Sequence, residues 1–166
     1  HAKALACLLD HNFKKPLPQK LPRELAQGVR FYPSVHVSLL AKGAWRATLS
    51  DYDFSPCPGS IATGGALTLL WHEKAGPVIA ASMTDYQLVE RDNMQLPQYY
   101  FNICQTPRIE YLKDGVYFRS INDKKALLKV QDGETIKAHA QGLLRNNCDE
   151  GLYSYSLDYS FDTQQI

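Results

Sequence analysis

The sequence lacks the short motifs that mark most metal and nucleophile sites. Its four cysteines include no C-x-x-C pair, which argues against a structural zinc site. Its five histidines include no H-E-x-x-H motif or other close pair, and no serine stands in a G-x-S-x-G context. Any chemistry must therefore come from residues that lie far apart in the chain and meet only in the fold.

The sequence also lacks a charge excess and a long apolar run. Lysine and arginine number 18 against 17 aspartates and glutamates, for a net charge of +1. Nucleic-acid binding usually shows a clustered basic excess and is not favoured. No apolar run approaches the roughly 18 residues of a membrane-spanning helix, and no signal peptide is seen. Because the first residue is His1 rather than methionine, we expect a chain that was processed or cut from a longer one.

The cysteines are widely spaced, at Cys7, Cys57, Cys104 and Cys148, and four cysteines allow three disulfide pairings. Cys57 and Cys148 stand in turn-like contexts, where a bridge could form in an oxidising compartment. Cys7 and Cys104 have apolar neighbours, as buried thiols do. Four free cysteines are an equally good interpretation.

Composition divides the chain into three segments. Residues 1–12 are rich in helix formers, with Leu5, Leu8 and Leu9 on one helical face, and predict a short N-terminal helix. So short a helix needs a partner, which fits the tail of a larger helical domain missing from this chain. Residues 13–28 contain three prolines and several lysines and predict an extended linker. Residues 29–166 form the third segment.

In the third segment the apolar residues recur with the period of two that is typical of strands. Val35, Val37 and Leu39 alternate with polar residues, which puts His36 on the polar side of its strand. Short turns follow at Lys42-Gly43, around Gly76, and at two Asp-Gly pairs. The strand after the second Asp-Gly pair is predicted to end at His139. Asp-Gly supplies the positive φ angles that tight hairpin turns require.

The last strand shows the clearest alternation. Five apolar or aromatic side chains point one way, and serines and aspartates point the other way. The five are Tyr153, Tyr155, Leu157, Tyr159 and Phe161. Because strands follow one another without helical patterns between them, a parallel α/β fold is excluded. We predict an all-β fold, an antiparallel β-sandwich with a short N-terminal helix.

The histidines suggest one site assembled from separate strands. His36, with Asp51 or Asp53 and with His72, has the ligand types of a divalent metal site. The plainer interpretation is that these histidines lie on the surface or in hydrogen bonds.

A set of aromatic residues and one arginine suggests sugar binding. Trp45, Arg46, Tyr52 and Trp71 lie in or near neighbouring predicted strands. Sugar rings stack on flat aromatic faces, and arginine pairs with uronate or sulfate oxygens, so the set suits an acidic polysaccharide. The alternative is that the aromatic rings fill the sandwich core, since strands favour aromatics.

Two stretches resemble a known family. "GAWRATLSDYDF" and "GGALTLLWHEKAGPVIAASMTDYQLVERDNMQ" resemble the β-sandwich part of heparinase II/III-like polysaccharide lyases. The opening "HAKALACLLDHN" is similar to the last helix of the α/α-toroid that precedes this sandwich. Such enzymes cleave acidic polysaccharides by β-elimination, with most catalytic groups in the toroid and a histidine, often with a metal site, in the sandwich.

The resemblance implies specific roles. His36 would be the sandwich's catalytic histidine, and the substrate would contact Trp45, Arg46, Tyr52, Trp71 and His72. It also implies a divalent metal, a helical domain of the same parent protein as partner, and a periplasmic or secreted location. Without the toroid, the fragment is expected to be inactive. The alternatives are a non-catalytic carbohydrate-binding module and a purely structural β-sandwich module.

Overall fold

The computed structural model describes residues 25–51, 62–81 and 106–163. In these ranges the chain forms two antiparallel sheets packed face to face, so the predicted β-sandwich is confirmed. The predicted N-terminal helix and most of the predicted linker lie outside the described residues. Within the described part, no helix has the length and hydrophobicity needed to cross a bilayer.

The first sheet has five strands in chain order, each antiparallel to the next. They are β1 (Gly28–Tyr32), β2 (Val37–Lys42), β3 (Trp45–Ser50), β4 (Ala66–His72) and β5 (Gly76–Ala80). The predicted turn at Lys42-Gly43 joins β2 to β3, and Gly43 has a φ of 54°. The turn before Gly76 joins β4 to β5.

The second sheet is built around one long strand. Its members are β6 (Glu110–Lys113), β7 (Val116–Arg119), β8 (Leu127–Gln131), β9 (Ile136–Arg145) and β10 (Gly151–Phe161). β10 pairs along one edge of β9, while β8 and then β7 share the other edge. Both Asp-Gly hairpins are confirmed, and at the first one Asp114 and Gly115 have φ angles of 51° and 79°.

The core lies between the sheets and draws on both. Leu40, Ala47 and Leu49 of the first sheet meet Ile136 and Ala138 of β9, all at most 3% exposed. Partly buried side chains of β8 and β10 complete the same cluster. At about 25 cal/mol per Å² of apolar surface, burial of this kind is the main force that holds two sheets together.

The predicted alternation of β2 has the wrong phase. Ser38 and Leu40 are 3% and 2% exposed and face the second sheet, whereas Leu39 is 39% exposed on the outer face. Val35 and His36 precede the strand and lie in the β1–β2 turn. Both faces of β2 carry apolar groups, so alternation alone does not identify the covered face.

Two further strand predictions are wrong at one position each. Tyr155 and the alternate residues after it point inward as predicted, but a shift in register between Gly151 and Ser154 leaves Tyr153 52% exposed. His139 was expected to end its strand, yet β9 continues to Arg145 and His139 lies near its middle.

Two tyrosines of β10 tie the sheets together. The hydroxyls of Tyr155 and Tyr159 donate to the carbonyl oxygens of Gly64 and Gly65, at 2.9 and 3.0 Å. Burial raises the pKa of Tyr159 to about 12, so both hydroxyl groups remain donors at neutral pH. The two glycines have φ angles of 73° and 76°, where a residue with a Cβ is strained.

Candidate functional site

His36 lies in the turn between β1 and β2, with a φ of 46°. Its side chain is 52% exposed, and its Nδ1 lies 3.7 Å from Oδ1 of Asp51. The ring of Phe31 approaches it edge-on, with 6.0 Å between centroids. The structure thus brings His36 together with Asp51, one of the two carboxylates that the sequence suggested.

The Asp51 carboxylate lies behind this histidine. Its side chain is 14% exposed, and burial raises the pKa of Asp51 above its usual range, with the nearby His36 ring offsetting part of the rise. A backbone hydrogen bond from Leu128 links the carboxylate to the second sheet. An exposed imidazole with a shielded carboxylate behind it can exchange a proton with a ligand.

Trp45 and His72 are a different pair, on the inner face of the first sheet. They are cross-strand partners, with ring centroids 4.5 Å apart, and His72 is only 7% exposed. Nδ1 of His72 accepts hydrogen bonds from the backbone N–H groups of Lys74 and Ala75, at 3.3 and 3.4 Å. His72 therefore stabilises the β4–β5 turn.

Arg46 and Trp71 face each other on the outer face of the first sheet. Nη1 of Arg46 donates to the carbonyl oxygens of Gly43 and Trp45, at 2.7 and 2.6 Å, which fixes the guanidinium beside the β2–β3 turn. The pair lies in a shallow groove of about 440 Å³. We call this groove the outer groove. Its other lining residues include Ala26, Leu39, Thr48 and Leu69.

The predicted site residues thus occupy three places. His36 lies at one end of the first sheet, and Trp45 and His72 lie at the other, roughly 20 Å along the strands. Arg46 and Trp71 lie on the opposite face from Trp45. Tyr52 and Asp53 lie outside the described residues.

The residues proposed to hold a metal do not form a site in the described ranges. His36 and Asp51 supply two ligand groups, and His72 is at the far end of the sheet. No group of three or more His, Cys, Asp or Glu residues within 25–51, 62–81 and 106–163 could hold a metal ion. Because a structural zinc usually takes four protein ligands and a catalytic zinc three, this pair does not fit one.

The outer face of the second sheet carries a regular polar array that the sequence analysis did not assemble. The cross-strand register of β8, β9 and β10 places exposed or half-exposed side chains in parallel rows. One row is Lys129, His139 and Asp158, and the next is Gln131, Lys137 and Ser160; the third is Leu127, Gln141 and Ser156. We call this surface the ladder face.

His139 and Asp158 are the centre of the ladder face. Nδ1 of His139 lies 2.7 Å from Oδ1 of Asp158, and its Nε2 lies 3.5 Å from Oε1 of Gln141. The hydrogen bond to Asp158 raises the pKa of His139 above its ordinary value, and the hydrogen bond to Gln141 adds to the rise. The imidazolium is thereby favoured on a fully solvated surface.

Two shallow cavities, of about 570 and 340 Å³, run along the ladder face and meet at His139. The signal for this site was present in the sequence as the polar residues of two alternating strands. The alternation within each strand does not give the register that sets His139 opposite Asp158. Pairing β9 with β10 through the turn at residues 146–150 would have found it.

Cys148 is exposed in the turn between β9 and β10. The other three cysteines lie outside the described residues, so the disulfide alternatives stay predictions.

The sandwich of two antiparallel sheets defines the described part of the chain as an all-β domain. The sequence model of the Ulvan lyase C-terminal domain family matches residues 29–166, and the chain belongs to that family. It is therefore a C-terminal domain of the polysaccharide-lyase kind.

A curated relative is the broad-specificity ulvan lyase of Formosa agariphila. It is 40% identical to this chain over 144 residues, which are 82% of the chain and 22% of the relative. The chain thus spans about a fifth of the length of the relative it matches. No solved structure gives a significant match.

Proposed function

We propose that this chain is the C-terminal sandwich domain of a periplasmic or secreted lyase that cleaves an acidic polysaccharide by β-elimination. The family membership and the 40% identity to an enzyme named for ulvan carry the proposal. The heparinase II/III-like resemblance of residues 43–54 and 64–95 supports the same reaction and a toroid-plus-sandwich parent protein.

We propose that the chain alone does not cleave the polysaccharide. It corresponds to 22% of the relative, so most of that lyase lies outside the matched region. In β-elimination the uronate carboxylate is neutralised, a base removes the C5 proton and an acid protonates the departing oxygen. A helical domain would supply most of these groups.

His36 is the proposed contribution of this domain to the chemistry. Its ring is half exposed, and its Nδ1 lies 3.7 Å from the shielded carboxylate of Asp51. An imidazole held in this way can accept or donate a proton to a sugar that lies on the turn. His72 is a poorer candidate, because it is buried and its Nδ1 is used by the turn.

The outer groove is the proposed contact with the helical domain and one wall of the substrate cleft. Ala26, at the start of the described residues, lines the groove together with Leu39, Leu69 and Trp71. Because the described residues begin beside this apolar surface, we propose that a preceding helical domain packs against it. Arg46 and Trp71 would meet the sugar at the rim of the cleft, the arginine by pairing with anionic groups and the indole by stacking.

The test compares the chain with the longer protein that contains it. Each is incubated with ulvan, and the absorbance of the unsaturated uronate product is followed. We expect product from the longer protein and none from the chain. Cleavage by residues 1–166 alone would refute the inactivity of the chain, and failure of the longer protein on every acidic polysaccharide would refute the lyase proposal.

A second experiment tests His36 in the longer protein. His36→Gln keeps the size and polarity but removes the imidazole, and we expect kcat to fall by about 100-fold or more. Val35→Ala, at a 46% exposed position in the same turn, is the matched control and should retain kcat. Equal kcat values for the two variants would exclude a catalytic role for His36.

A further inference from the structure

The ladder face is long and shallow enough for a linear polymer. With Leu143, which lines the larger cavity beyond Gln141, it extends about 20 Å along β9, the length of several sugar rings. Neighbouring strands are about 4.8 Å apart, so each row presents three side chains across the polymer's width. The two cavities that meet at His139 follow this axis.

The charges of the ladder face are arranged to leave positive groups available. Asp158 is bonded to His139 and makes no ion pair with either lysine. Lys129 and Lys137 are exposed, and neither makes an ion pair with any described residue. Exposed ammonium groups of this kind bind anionic ligand groups as point charges.

The remaining side chains suit hydroxyl-rich ligands. Gln131 and Gln141 offer amide donors and acceptors, and Ser156 and Ser160 offer hydroxyls. Tyr155 and Tyr159 point inward to the core, and the exposed Tyr153 lies outside the three rows of the ladder face. Nucleic-acid bases therefore have no ring to stack on along these rows. A protein interface would need an apolar centre, whereas the centre here is an ion pair.

We infer that the ladder face binds an anionic polysaccharide laid along β8–β10, with Lys129 and Lys137 pairing with its anionic groups. The class of ligand rests on the proposed function, and the site is separate from His36 and from the outer groove. In the longer enzyme this surface would hold substrate near the catalytic domain and raise its local concentration.

The test measures binding of the chain to ulvan by affinity electrophoresis, with dextran as an uncharged polymer. Lys129→Gln with Lys137→Gln removes the two unpaired charges, and we expect its affinity for ulvan to fall by about tenfold or more. Lys74→Gln with Lys113→Gln removes the same net charge from exposed positions elsewhere in the sandwich. This control should bind within about twofold of the unmodified chain.

Amide chemical shifts supply a second measurement on the unmodified chain. Ulvan should perturb β8, β9 and β10 and spare the first sheet. Three results would overturn the inference: no binding of the chain to ulvan, an equal loss in both double variants, or shift changes confined to the first sheet. None of these would affect the lyase proposal, because that is decided by product formation in the longer protein.

Discussion

The two outer faces of this sandwich are built from similar alternating strands, yet they present opposite surfaces. The first sheet exposes Leu39, Leu69 and Trp71 around the outer groove. The second sheet exposes the ladder face, with a His139–Asp158 pair between two lysines. Covering an apolar groove is energetically favourable because it removes apolar surface from water. Covering a charged face is unfavourable because the charges lose their hydration. The difference is consistent with the proposed roles, a domain partner on the outer groove and a solvated, ligand-binding surface on the ladder face.

The largest expected effect on stability comes from a substitution that forces the two sheets apart. A Cβ at Gly64 would lie 2.0 Å from the carbonyl oxygen of Ser120, and the φ there is 73°. We expect Gly64→Ala to cost about 4 kcal/mol or more of unfolding free energy, from strain and from displacing Tyr155. Urea denaturation of the chain measures this.

Gly76→Ala is the matched control for that experiment. Gly76 has nearly the same φ, 74°, but a Cβ there would meet nothing within 4 Å. Its cost should be about 1 kcal/mol, from backbone strain alone. If the two variants are equally stable, contact between the sheets at Gly64 does not hold the sandwich together.

A buried carboxylate accepts hydrogen bonds from donors near the end of β9. Asp123 is 1% exposed, and it accepts hydrogen bonds from Leu143 N, Arg145 Nε and Lys125 N, at 2.7, 2.7 and 3.1 Å. Its side chain lies at the edge of β9, between the part that pairs with β8 and the part that pairs with β7. We expect Asp123→Ala to cost about 3 kcal/mol, because buried donors lose their acceptor.

Asp158→Asn is the comparison for Asp123→Ala in the same urea titration. Its carboxyl is 77% exposed, so the variant should stay within about 0.5 kcal/mol of the original chain. A ranking in which Asp158→Asn is the more damaging would contradict the structural role assigned to Asp123.

The contrast between the outer faces can be measured directly with one substitution on each. Trp71 is half buried in the outer groove, so we expect Trp71→Ala to cost about 2 kcal/mol. Lys129→Ala on the ladder face should change stability by no more than about 0.5 kcal/mol. Equal effects in thermal unfolding would mean that the outer groove contributes no more packing than an ordinary wet surface.

The smallest effect is a pH dependence located on the ladder face. The pKa of His139 is raised from its ordinary value of 6.5 by Asp158. Its stabilisation is therefore fully present below pH 6.5 and is lost as the pH rises through the raised pKa. NMR titration of the ring should show a midpoint above 6.5 that falls in Asp158→Asn. A midpoint at or below 6.5 in the original chain would exclude the ion pair in solution.

Much of the fold could be predicted from local patterns. The Asp-Gly turns at 114–115 and 132–133 and the alternation from Tyr155 to Phe161 were correct, because positive φ angles and period two are properties of short segments. The wrong predictions concern segments in which either face of the strand could be the buried one. β2 is apolar on both faces, and the shift before Ser154 changes which face Tyr153 occupies.

The candidate sites were less predictable, because each one depends on register between strands. His36 and Asp51 do meet, but His72 was grouped with them although pairing with Trp45 places it at the other end of the sheet. His139 was treated as a strand end, and its partner Asp158 is 19 residues away.

Residue order alone specified the all-β class and the hairpin turns, and it divided each strand into two faces. Packing of the sheets then selected which face is buried, since only contact with the opposite sheet excludes water. Cross-strand pairing selected the neighbours that make a site, because side chains such as Lys129, His139 and Asp158 become adjacent only when three strands align.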